Sequence, residues 1–143
     1  MNDTMKAFDY PASLVREYQH WVVLVRPKQI TLGALVLACK ENAEAFSAIS
    51  PDAFVELKEA VIDIEHALKK RFAYDKINYL MLMMVDRQVH FHVIPRYAKP
   101  REFGGVTASD PGWPKQPDMA ATVPLSEAQL RALRDELRAL WAA

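Results

Sequence analysis

Apolar residues in this chain fall into short, strand-length runs and longer stripes spaced three and four apart. Trp21-Val22-Val23-Leu24-Val25 and Ala34-Leu35-Val36-Leu37-Ala38 lack polar alternation, which predicts strands covered on both faces. Two runs this close in sequence, joined by a short connection carrying Gly33, predict an antiparallel pair. Ser50-Pro51 then reads as an N-cap followed by proline in the first helical position. Phe54, Leu57, Val61, Ile64 and Leu68 make one helical stripe through about Arg71, and Lys69, Lys70 and Arg71 complement the helix dipole at its end.

Ile77 to Val85 forms another strand-length run, separated from the stretch Gln88–Tyr97 by Asp86-Arg87 alone. A two-residue connection predicts a tight hairpin, although Asp-Arg is not the usual turn chemistry. Met81, Met83 and Met84 read as core filler. Pro11 to Glu17 predicts a turn or two of helix. From Ala98 to Pro124 the periodicity dissolves into proline, glycine and polar residues, predicting a functional or mobile loop. A last helix opens with a capping-box pair, Ser126 and Gln129, and carries the stripe Leu130, Leu133, Leu137 and Leu140. The expected fold is α+β: an antiparallel sheet of four or five strands, one long helix across it and a C-terminal helix. One domain over 1–143 is expected, with a core at 20–97, the long loop at 98–124 and the final helix at 125–141.

Composition narrows the function classes. Eighteen basic residues balance eighteen acidic ones, so no global field draws in polymeric nucleic acid or an anionic membrane. No apolar run approaches the roughly 20 residues of a membrane span. The first residues lack the layout of a signal peptide, and a cytoplasmic location is expected. The single cysteine, Cys39, excludes an internal disulfide and sits in apolar surroundings that favour an inert thiol.

The chemistry concentrates in Gln88-Val89-His90-Phe91-His92-Val93-Ile94-Pro95-Arg96-Tyr97. Residues two apart on a strand share a face, so His90 and His92 project together with Gln88 beside them. Paired imidazoles suit a nucleophile with a neighbouring proton donor, or a metal pair. His20, His66 and the acids offer no recognisable spacing for a third metal ligand. Asn78 stands in an otherwise apolar run, as a site residue or at a sheet edge. Trp113 could stack on a base or anchor its loop.

The order of elements followed by His90-Phe91-His92-Val93-Ile94 resembles the histidine triad (HIT) superfamily, whose signature is three histidines alternating with apolar residues. The resemblance spans roughly residues 20 to 97 in layout and is specific over the last ten. It implies a nucleotide hydrolase or nucleotidyltransferase acting on dinucleoside polyphosphates or nucleoside phosphoramidates. His90 would be the nucleophile, His92 a donor to the phosphate or leaving oxygen, and the Gln88 carbonyl the holder of the His90 proton. Arg26, which follows the first strand, falls where family members contact the ribose. No metal is required, although a divalent cation can accompany a polyphosphate substrate. A homodimer is implied, with the long helix and a sheet edge at its interface.

Three departures qualify the resemblance. Gln88 replaces the first histidine, Ala34 follows Gly33 where members often carry histidine, and the Gly-Gln-Ser or Gly-Gln-Thr segment before the motif is absent. Phosphate contacts would then fall to Arg87, Arg96 or the 98–124 loop, with Asn78 as a further substrate-binding candidate. The alternative these departures imply is a nucleotide-binding module with little or no catalysis.

Overall fold

The computed structural model describes residues 1–141. Five strands, β1 (Leu14–Glu17), β2 (Trp21–Val25), β3 (Leu35–Cys39), β4 (Lys76–Leu80) and β5 (His90–Arg96), form one antiparallel sheet in the order β1-β2-β3-β5-β4. The runs without alternation occupy its middle, and every residue of β2 and β3 is buried. Fully burying each of their Val and Leu side chains contributes about 2 kcal/mol.

Each sheet face has its own cover. Trp21, Val23, Val25, Leu35 and Leu37 pack with Ala60, Ile64 and Leu68 of the long helix α2, preceded in the chain by the short helix α1 (Asp3–Ala7) and itself spanning Pro51–Phe72. Val22, Leu24, Val36 and Ala38 point the other way, onto Met5 of α1. Asn2 fixes α1 in place: its side chain caps Met5 N–H at 2.9 Å and donates to the Cys39 carbonyl at 2.8 Å. Ser50 caps α2 as expected, and the helix ends at Ala73 with φ +49°. Gly33, at φ +89°, lies against this end, where a Cβ would sit 3.0 Å from the Phe72 ring.

The long segment after β5 is built rather than formless. It contains the hairpin β6 (Arg101–Phe103) and β7 (Val106–Ala108), turned by Gly104 and Gly105 at positive φ, and Val123 bridges to Gln29. Helix α3 (Glu127–Leu140) carries the capping box and buries Leu133 and Leu137. No helix among the described residues is long and apolar enough to cross a membrane.

Two expectations change. Residues 14–17 are strand, not helix: Pro11 lies in a turn, and Arg16 and Glu17 pair with β2. The tight hairpin at Asp86-Arg87 does not form either. β4 stops at Leu80 and β5 starts at His90, so residues 81–89 make an open connection with Met83 at φ +52°. Asp-Arg lacks the residues a two-residue hairpin turn demands.

Candidate active site

The strands separate where the chemistry is placed. The β4–β5 ladder ends at the Leu80–His92 pair, whereas β5 continues pairing with β3 through Phe91 and His90. The departing connection leaves a cleft of ≈ 260 Å³ over the two histidines, walled by Phe8, Arg26, Met119 and residues 82–86. Met84, expected in the core, is 85% exposed at its mouth.

His90 and His92 share the sheet face that carries α1, with ring centroids 5.0 Å apart and planes at 82°. Phe8 lies 5.6 Å from the first ring and 5.7 Å from the second. Both imidazoles are buried, so their hydrogen bonds fix their protons. His90 Nδ1 lies 2.8 Å from the Gln88 carbonyl. A carbonyl only accepts, so Nδ1 carries a proton, and in the neutral ring Nε2 is the nitrogen with the free lone pair. The Arg26 Nε–H donates to His92 Nδ1 at 3.3 Å, which leaves the proton of a neutral His92 on Nε2. Burial, then Arg26, then His90 push the His92 pKa down to about 4. With both rings neutral, the pair presents one free ring nitrogen, on His90, and one N–H donor, on His92.

The other expected site residues divide. Arg26 joins the histidines. Gln88 contributes its carbonyl, while its side chain turns to Thr4. Arg96 and Asn78 share the histidine face but lie farther along the strands, bonded to each other at 2.9 Å. Arg96 is neutralised by Asp110 at 2.6 Å and does not reach the histidine cleft. Arg87 stands outside the cleft, largely exposed, 3.8 Å from Glu44. Burial of Arg96 next to an acid, and the outward path of the 81–89 connection, explain these placements. Phe8, Thr4 and Met119 belong to the site without any periodic or motif signal that could have marked them.

A larger hollow of ≈ 540 Å³ lies between His20 and the outer face of α2. Asp52, Glu56, Glu59 and Asp63 line it, and their charge opposes phosphate. Among the described residues, no group of three His, Cys, Asp or Glu is arranged to hold a metal ion.

This combination, a β3–β5 ladder carrying two adjacent buried histidines under a cleft, defines an α+β fold with a histidine-bearing site on one sheet face. The HIT domain model matches residues 8–99, well over half of the chain, and the chain belongs to the HIT domain family. A search of curated proteins finds no match. Among solved structures the chain is similar to a histidine triad protein from Bradyrhizobium japonicum, at 20% identity and TM-score 0.73, covering 99% of this chain and 97% of the other. It is similar to a histidine triad protein from Marinobacter aquaeolei VT8 at 19% identity and TM-score 0.74, covering 99% and 94%. A hypothetical histidine triad nucleotide-binding protein from Sulfolobus tokodaii strain7 matches at 16% identity and TM-score 0.68, covering 95% and 87%. These likenesses establish the HIT fold, and the family is one of nucleotide-binding hydrolases and transferases.

Proposed function

We propose that the chain is a nucleotide hydrolase or nucleotidyltransferase that works at the α-phosphate through a nucleotidyl-His90 intermediate. The carrying observation is the held ring of His90, with Nδ1–H on the Gln88 carbonyl, so that in the neutral ring Nε2 is the free nitrogen. Nε2 attacks phosphorus, an N–P bond forms, and the bond to the leaving group breaks. The ring becomes cationic in this step, and the Gln88 carbonyl stabilises that charge. Water or another acceptor then displaces His90, and the proton of the attacking group passes to solvent. His92 Nε2–H and Arg26 donate to the non-bridging phosphate oxygens, where charge accumulates.

A neutral His92 is a hydrogen-bond donor rather than a source of a whole proton, because losing Nε2–H would leave an imidazolate. Leaving groups that depart as anions therefore suit the site better than amines. No resident metal is needed; a divalent cation accompanies a polyphosphate substrate. The proposed setting is cytoplasmic, with the substrate a small nucleotide and the assembly a homodimer. The outermost strand β4, with Ile77, Tyr79 and Leu80 half-exposed, and the exposed Val55 and Ile62 of α2 support that assembly.

The second reading, binding without turnover, is favoured by one observation: Arg26 is the cation lining the cleft, and Asp86 stands in the same lining. AMP release from adenylated compounds, measured beside His90→Ala, separates the two. A loss of a hundredfold or more in the variant, on the order of 3 kcal/mol of transition-state stabilisation, with an adenylyl adduct trapped on His90, is the expected result. Tight nucleotide binding without release or adduct would establish the second reading instead.

A further inference from the structure

The sulfur atoms of this chain, on six methionines and one cysteine, are unevenly placed. Cys39 is buried in β3, and that burial pushes its thiol pKa up, which depletes the thiolate, the form that reacts with oxidants. Met5 is buried between α1 and the sheet, and Met81 packs against the edge of the core. Met83, Met84 and Met119 line the cleft over His90 and His92. Met83 and Met119 are half-buried, whereas Met84 is 85% exposed. The chain keeps its thiol out of reach and sets an open thioether at the mouth of its histidine site.

Core packing does not explain Met84. A methionine in a core fills irregular gaps, yet this one has most of its surface in water, between the exposed Leu82 and Val85. It lies in the 81–89 connection, outside both β4 and β5, so its sulfur is reachable without opening the sheet. The cleft it borders offers a phosphate two donors, Arg26 and the Nε2–H of a neutral His92. Oxidation turns a flexible apolar side chain into a polar one. The new sulfoxide oxygen is a hydrogen-bond acceptor, as a phosphate oxygen is, and competes for the same donors.

We infer that Met84 is an oxidation site through which hydrogen peroxide lowers the affinity of the histidine cleft for its nucleotide. The inference rests on the nucleotide reading above and adds regulation to it. In the modifying step a sulfur lone pair attacks one oxygen of the peroxide, so that an S–O bond forms and the O–O bond breaks. The other oxygen leaves with the bonding electron pair, takes up the proton of the transferred oxygen and departs as water. Sulfur gives up two electrons and the peroxide accepts them. A dithiol working through a methionine sulfoxide reductase reverses the change: the oxygen leaves as water and the dithiol becomes a disulfide.

The test treats the full chain with hydrogen peroxide, reads each methionine by peptide mass spectrometry and measures AMP affinity by titration calorimetry before and after. Met84 is expected to oxidise about tenfold faster than Met5 and Met81 and ahead of Met83 and Met119. AMP affinity of the parent should fall about tenfold on treatment and return on enzymatic reduction. In Met84→Leu the same treatment should change that variant's own untreated affinity by less than about twofold. Met1, 66% exposed, is present in both proteins, so its oxidation cancels. Met84→Gln, a polar stand-in for the sulfoxide, should bind AMP more weakly than Met84→Leu with no oxidant present. Oxidation spread evenly over the methionines, an oxidised Met84 with unchanged AMP affinity, or an equal fall in Met84→Leu overturns the inference. A Met84-dependent fall in AMP affinity, in a protein that releases no AMP from adenylated compounds, upholds the inference and overturns the His90 reading alone.

Discussion

Gln88 is bound on its side chain by Thr4 and on its main chain by His90. Its Oε1 accepts from Thr4 Oγ1 at 2.6 Å and from Thr4 N–H at 3.1 Å, and its own N–H donates to Thr4 Oγ1 at 3.2 Å. The Gln88 carbonyl meanwhile accepts the His90 Nδ1 proton. The first motif position therefore serves the site through its backbone, and α1 sets where that backbone lies. The glutamine side chain is turned to Thr4 and leaves the carbonyl as the group that meets His90.

Thr4→Val removes the hydroxyl and leaves the carbonyl of residue 88 less fixed. The expected cost is about 1–2 kcal/mol of stability and roughly a tenfold loss in kcat from looser positioning of His90. Thr4→Ser should restore both. Gln88→Ala keeps the carbonyl, so its kcat should stay well above that of His90→Ala. Equal inactivity of the two would mean that the side chain itself takes part in the chemistry.

Arg26 controls which nitrogen of His92 is free. In Arg26→Met the donor to Nδ1 is lost, and with it the second cause of the depressed pKa. The His92 pKa should then rise from about 4 but stop short of the ordinary 6.5 or so, since burial and His90 still act. NMR titration of the imidazole resonances reads this directly. No movement would show that burial alone sets the value. A kcat loss on the order of tenfold to a hundredfold should accompany it, as expected for one phosphate donor.

The same depressed pKa makes stability depend on pH. His92 is neutral in the folded chain down to about 4, whereas the unfolded chain takes up this proton near 6.5. Between these values the unfolded state binds more protons, so stability falls as pH falls through the window and rises as pH rises through it. The full shift would convert to about 3 kcal/mol, and screening at the cleft mouth reduces this to about 1–2 kcal/mol. Urea unfolding near pH 7 and pH 4.5 should show the parent losing more than His92→Gln. Identical losses in both would place the acid sensitivity elsewhere.

Legibility in the sequence followed the strength of local constraint. β2, β3, α2 and α3 were readable because their burial leaves runs, caps and stripes in the residues themselves: Ser50-Pro51, the Ser126–Gln129 box, and Trp21 to Val25. The pairing of His90 with His92 was readable for the same reason, as strand alternation. The 81–89 connection was not, because Met81 to Val85 has strand composition while its path is decided by β5 breaking from β4 after Leu80. Phe8 and Thr4 reach the site only through tertiary packing across more than eighty residues of chain. Arg96 looked like a phosphate ligand because nothing local reveals that Asp110, fourteen residues later, already neutralises it.

That ion pair carries a large stability effect. Asp110 is fully buried at its side chain and Arg96 nearly so, and Asp110 also accepts from the Tyr97 N–H at 3.2 Å and the Gly112 N–H at 3.2 Å. Asp110→Ala would leave a buried guanidinium without its counter-charge, at a cost of about 3–5 kcal/mol. Arg96→Met in the same chain removes the stranded charge, so the double variant should be more stable than Asp110→Ala alone. Chemical denaturation of the two single variants and the double one measures this coupling. Additive losses would mean that the two residues act independently and that the Trp113–Lys115 segment is held by its own turn.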